Sequence, residues 1–148
     1  VQAGTMSFGL NILTSLVEKI SASLDSDFDI EILEMHHRNK VDAPSGTALM
    51  LGEAAAKGKG KSLPELRIAA REGISVGRQK GSIGFASLRG GGVVGEHEVS
   101  FTSDSERISI KHEAFSREIF VNGAIKAALW SKEKKPGLYD MLDVLNLR

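Results

Sequence analysis

The spacing of apolar residues divides the chain into helical and extended stretches. From Ser7 to Leu24 the apolar positions Leu10, Leu13, Val17, Ile20 and Leu24 recur every three or four residues, the pattern of one helical face. Phe28, Ile30 and Ile32 then alternate with Asp27, Asp29 and Glu31, which predicts a half-buried strand running toward Met35 and delivering His36 and His37 at its end. Pro44 and Gly46 interrupt the pattern. Thr47 to Lys57, dense in Ala, Leu and Met, predicts a second helix capped by Ser45, and the polar stretch Lys57 to Pro64 predicts a mobile loop or the frayed end of that helix.

Beyond Pro64 the pattern turns extended. Ile68 to Ala70, Ser82 to Arg89, Val94 to Thr102 and Arg107 to Ala114 are predicted strands, and Gly90-Gly91-Gly92 is predicted to be a flexible hairpin turn between two of them. Ser116 is placed to cap a last long helix through Trp130, with Ile119, Phe120, Ile125, Ala128 and Leu129 as its buried face, before Pro136 and Gly137 open a tail. This order predicts an α+β domain, a mixed sheet with helices packed on one face. A single helical layer leaves the other face to be buried against a second subunit.

Composition narrows the classes of function. A chain of 148 residues suits one compact domain. With 19 Lys and Arg against 19 Asp and Glu, no net field draws a nucleic acid or an anionic membrane, so any cationic site is local. The absence of cysteine removes disulfides and thiolate metal sites and fits a reducing cytosol. Apolar runs fall far short of the roughly 20 residues of a membrane span, and no signal-peptide pattern opens the chain. Val1 to Gly4 lacks an initiator Met and runs almost directly into the first helical pattern, and is read as a cut within a longer protein.

The chemistry concentrates between Glu34 and Ala48, where two imidazoles, the cations Arg38 and Lys40 and a helix start fall together. The unpaired amides of a helix N-terminus suit an anion, so the Gly46 and Thr47 N–H groups are candidates to hold a carboxylate, and Gly46 lets a ligand approach closely. Lys40 can add a full charge to the same anion, and a nearby His can donate a proton near neutral pH. Successive strand residues point to opposite faces, so one of His36 and His37 is the acid while the other orients a ligand or packs.

The same stretch resembles the E-x-H-H-x-x-K-x-D-A-P-S-G-T-A signature of dihydrodipicolinate reductases. The resemblance continues through Arg71-Glu72-Gly73, Gly81-Ser82-Ile83-Gly84-Phe85, Val94-Gly95-Glu96-His97, Glu106-Arg107-Ile108, His112, Ser116-Arg117, Gly123-Ala124 and Gly137-Leu138-Tyr139-Asp140-Met141. It implies reduction of a cyclic dicarboxylic imine, or its hydrated precursor 4-hydroxy-tetrahydrodipicolinate, to tetrahydrodipicolinate by NADH or NADPH, on the diaminopimelate route to lysine. It further implies a cytoplasmic homotetramer assembled through the sheet. By the same resemblance His36 matches the general acid and Lys40 the substrate-binding cation; His37, Gly46 and Thr47 match carboxylate-binding residues, and Arg117 a further substrate contact. Gly4, Thr5 and Met6 resemble the segment that touches the nicotinamide end of the cofactor, with Met6 where some members carry Phe.

One departure is large: the Gly-rich strand-turn-helix that cradles a pyrophosphate is absent, so residues 1–148 are expected to be the substrate-binding and tetramerisation part of such an enzyme, inactive without its dinucleotide-binding domain. Two other readings compete. The chain could serve only as an assembly module, or its four histidines could build a metal-dependent hydrolase, against which stands the lack of an HExxH pair.

Overall fold

A computed structural model of the chain describes residues 1–148. Its elements run α1 (Phe8–Ser23), β1 (Asp29–His36), α2 (Gly46–Gly58), α3 (Leu63–Leu66), β2 (Ile83–Arg89), β3 (Gly95–Thr102), β4 (Arg107–Ala114), α4 (Glu118–Ser131) and α5 (Met141–Val144). The strands form one mixed sheet in the order β2-β1-β3-β4, with β1 and β2 parallel and the other pairs antiparallel. The α+β class predicted from the order of elements is the observed one.

The first half follows its periodicity. Ser7 caps α1, its Oγ accepting from Leu10 N at 3.3 Å, and Leu10, Leu13 and Val17 are buried on the predicted face. Helices α1 and α2 cross closely because small residues line the contact. A Cβ on Gly58 would sit 2.4 Å from the Glu18 carbonyl oxygen, and Ser21 Oγ donates to the Ala55 carbonyl at 2.6 Å. Together the two helices cover the sheet face that carries Ile30, Ile32, Ile83, Val99 and Phe101. Truncating a core aromatic such as Phe101 costs about 3–5 kcal/mol, which shows how much of the fold this layer holds.

The second half departs from prediction in several places. Ile68 to Ala70 is no strand: only an isolated bridge joins Arg67 to Ile83, because the chain from Arg67 onward leaves the sheet plane. The expected loop after Lys57 contains the start of α3, whose Leu63 is buried. Gly90-Gly91-Gly92 is not a hairpin turn. Strand β1 lies between β2 and β3, so this glycine segment crosses over the end of β1, where Gly90 N donates to the His36 carbonyl and Arg38 N donates to the Gly91 carbonyl.

Helix α4 begins at Glu118 rather than directly after Ser116, although Ser116 Oγ does accept from Glu118 N at 3.1 Å. Its predicted inner face is turned outward. Gly123 and Ala127 are its buried residues, while Ile125 and Leu129 are more than half exposed. The reason is steric: the helix rests on the backbone of Met6, where a Cβ at Gly123 would lie 1.8 Å from the Met6 carbonyl oxygen, so only the small-residue side can approach. The tail then returns to the start of the chain, with Gln2 N donating to the Tyr139 carbonyl at 2.7 Å.

The sheet face away from α1 and α2 carries Leu33, Met35 and Leu88 among the charges of Glu31, Glu96, Lys111 and Glu113. Part of it is crossed by the chain between Arg67 and Ser82, pinned there by Arg71 and Arg78 on Glu31. No helix is long and apolar enough to cross a membrane.

Candidate active site

Strand alternation decides which side chains meet at the C-terminal end of β1. Residues 30, 32, 34 and 36 share the helix-covered face, so Glu34 and His36 are neighbours there, and the register sets His36 beside Arg89 of β2. Arg89 grips Glu34 with both terminal nitrogens, at 2.8 Å each, and also donates to the Asp42 carbonyl, tying the loop after β1 to the sheet. Ser45 N donates to Glu34 as well, at 3.2 Å.

Glu34 is 1% exposed. Burial alone would push its carboxyl up. The hydrogen bonds from Arg89, His36 and Ser87 outweigh that cost and hold it at about 2, so it is an anion at neutral pH. An ionised carboxylate only accepts, so His36 Nδ1, 2.5 Å from Glu34, carries the proton between them. The one fully buried side-chain polar atom without a partner is His112 Nδ1; His36 Nε2 bonds to nothing in the chain and is not fully buried.

His36 lies over Gly95 of β3, where a Cβ would come within 3.1 Å of Nε2. Its ring meets that of His97 edge-on at 5.1 Å. Burial, and then the charge of His36, lowers His97 to about 4, so it is neutral at pH 7. His97 Nε2 sits 2.8 Å from Ser45 Oγ, which in turn accepts from Ala48 N and caps α2 as predicted. One hydrogen-bonded set thus joins β1, β2, β3 and the start of α2.

The remaining candidates surround this set. His37 is half-buried just beyond β1, and its carbonyl accepts from Lys40 N in a turn. Lys40 is close enough for its charge to act on His97, and its ammonium pairs with Asp42 at 2.8 Å. Gly46 is exposed and Thr47 half-buried in the first turn of α2, where neither amide donates to a backbone acceptor.

Gly4 to Met6 runs between α2 and α4: a Cβ on Gly4 would sit 3.2 Å from Met50 Sδ, and Met6 touches Gly123. Thr5 is buried, with its hydroxyl accepting from Ser7 N and its carbonyl from Asn11 Nδ2. Arg117 is exposed three residues beyond Ala114, which pairs with Gly95; it shares the site's end of the sheet but reaches none of the other candidates by a hydrogen bond or ion pair.

Reading the sequence missed Glu34, Arg89 and Asp42 as members of this set. Glu34 had a signal, since a residue two before His36 on a strand shares its face. Arg89 had none, because its register against β1 comes from a parallel pairing across a long connection.

The family model described as dihydrodipicolinate reductase, C-terminus, matches residues 9–145. A 4-hydroxy-tetrahydrodipicolinate reductase from Methylocella silvestris is 60% identical over 147 residues, covering 99% of this chain and 54% of the relative. Its counterpart from Cereibacter sphaeroides is 58% identical, covering 99% and 55%. The chain spans about half the length of the curated relatives it matches. Among solved structures, a dipicolinate-bound dihydrodipicolinate reductase from Paenisporosarcina sp. TG-14 shares the fold, with a TM-score of 0.72 at 23% identity over 94% of this chain and 52% of that one. A family match that runs from the first helix nearly to the last residue, with relatives at this identity, makes the chain a member of the dihydrodipicolinate reductase family, within its C-terminal portion.

Proposed function

We propose that this chain is the substrate-binding and assembly part of a 4-hydroxy-tetrahydrodipicolinate reductase acting in lysine biosynthesis through diaminopimelate. The observation that carries the reading is the joining of an imidazole unbonded at Nε2, a lysine and the free amides of a helix start at one end of the sheet. A cyclic substrate with two carboxylates needs two anion clamps and one proton donor. Lys40 with the Gly46 and Thr47 amides forms one clamp, and His37 and Arg117 are the candidates for the second. His36 donates the proton from Nε2, and its positive charge favours an electron-rich transition state. Asp42, which pairs with Lys40 here, gives up the ammonium to the incoming carboxylate.

NADH or NADPH supplies the hydride when bound. The fixed backbone of Gly4 to Met6 fits one end of that cofactor as an edge, held by the Thr5 and Asn11 hydrogen bonds. It offers no glycine-rich turn for the pyrophosphate, which supports a separate dinucleotide-binding domain in the full-length enzyme and little activity in this portion by itself. The open sheet face, with Leu33 and Leu88 exposed, supports assembly as a homotetramer, and the cytoplasm is the compartment that fits a cysteine-free biosynthetic enzyme.

The test is calorimetric titration of pyridine-2,6-dicarboxylate, a planar substrate analogue, into the full-length reductase bearing this chain and into its Lys40→Ala variant. Saturable binding weakened by about tenfold or more in the variant is expected, the loss of one charge-assisted contact. Equal affinity in both proteins would remove Lys40 from the site.

A further inference from the structure

We infer that Glu34 is a positioning residue for the reaction: its buried carboxylate accepts the hydrogen bond from His36 Nδ1–H and so leaves Nε2 as the nitrogen that gives its proton to substrate, while Arg89 holds that carboxylate in place. The inference rests on the reading of His36 as the acid. Glu34 is the one carboxylate facing the imidazole on the helix-covered side. From β2 Arg89 binds that carboxylate and from β3 the neutral His97 meets the ring edge-on, while the loop after β1 carries Lys40 and Asp42, whose charges act on His97 and on Arg89. Neither terminal nitrogen of Arg89 is spare, since each binds a Glu34 oxygen at 2.8 Å, and this fork fixes the plane of the carboxylate against the ring. A ring free to flip would present either nitrogen to the substrate; a ring bonded at Nδ1 presents one.

A buried glutamate gripped by arginine can also be purely structural, so the two roles are separated by their response to pH. A general acid works while protonated, and turnover falls as pH rises through its titration. Removing the adjacent negative charge in Glu34→Gln is expected to move the basic limb of the kcat profile down by roughly one pH unit or more, with KM for substrate little changed. Arg89→Gln removes a neighbouring positive charge instead. Its basic limb is expected to move up, and it also guards against a Glu34→Gln protein that folds poorly.

The tautomer is read independently by the nitrogen-15 shifts of His36 at high pH, expected to report a proton on Nδ1 in the native protein and a mixture in Glu34→Gln. Profiles that fall in height without moving, or a native His36 protonated at Nε2, would overturn the inference. His36→Gln distinguishes the two levels. Unchanged turnover there would defeat the reading of His36 as the acid, whereas lost turnover with unmoved profiles in the Glu34 and Arg89 variants would defeat only the role of Glu34.

Discussion

Two glutamates three residues apart on β1 meet arginines on opposite faces of the same sheet. Glu34, on the face under α1 and α2, is 1% exposed and binds Arg89 and His36. Glu31, on the other face, is 30% exposed and binds Arg71 at 2.7 Å and Arg78 at 2.9 Å, both from the long connection between α3 and β2. Burial pushes both carboxyls up, and in both cases the arginines pull them below the usual range. The chemistry is the same and its use differs. Under the helices the carboxylate has a histidine within reach and binds its ring; on the open side it has only arginines and pins a stretch of backbone.

The sharpest way to break this comparison is at His36. His36→Gln in the full-length enzyme is expected to lower kcat by about 10²–10⁴-fold, the usual weight of a general acid, while the melting temperature barely moves. Steady-state turnover beside a thermal melt measures both. A variant that turns over normally would make the helix-covered set as structural as the open one.

Next in size is the response of stability to acid. His97 is 4% exposed and held at about 4, while an unfolded chain takes up the same proton near 6.5. Its folded state therefore binds fewer protons, and stability is intact above about pH 6.5 and drains away as pH falls toward 4, by about 3 kcal/mol in all. Glu34 adds its own loss only below 4.5, continuing to about 2, because its folded value is depressed from the carboxylate side. Urea midpoints taken between neutral pH and about pH 5 isolate the histidine contribution. His97→Gln is expected to flatten that dependence, and an unchanged slope would show that His97 is not its source.

The smallest effect belongs to the open face. Glu31→Gln is expected to cost below about 1 kcal/mol, the scale of a partly solvated ion pair, and to leave turnover alone. Limited proteolysis should nonetheless cut faster between Arg71 and Arg78, since the carboxylate that pins them is gone. Turnover that fell as far as in His36→Gln would erase the distinction between the two faces.

Much of the fold could be read from periodicity. α1 and β1 bury the residues their spacing predicts, because each packs one face against the same core, and α2 forms behind its Ser45 cap where its composition predicts a helix. Ile119 to Leu129 could not be read that way. Helical spacing correctly identified α4, but which side lies inward was settled by the approach of Gly123 to the Met6 backbone, a contact between residues more than a hundred positions apart. The glycine run at Gly90 failed for a related reason: composition announced a turn, and only the insertion of β1 between β2 and β3 made it a crossover above the site.

By itself, then, the sequence determined the longer helices and the four strands of the sheet, the helix cap at Ser45 and the short stretch that holds His36, His37, Lys40, Gly46 and Thr47, set largely by interactions within a few residues along the chain. Tertiary structure alone decided that Arg89 closes on Glu34 and that His97 stays neutral beside His36. Those depend on strand register and burial, and neither can be computed from local spacing, because both are properties of what packs against a residue rather than of the residue itself.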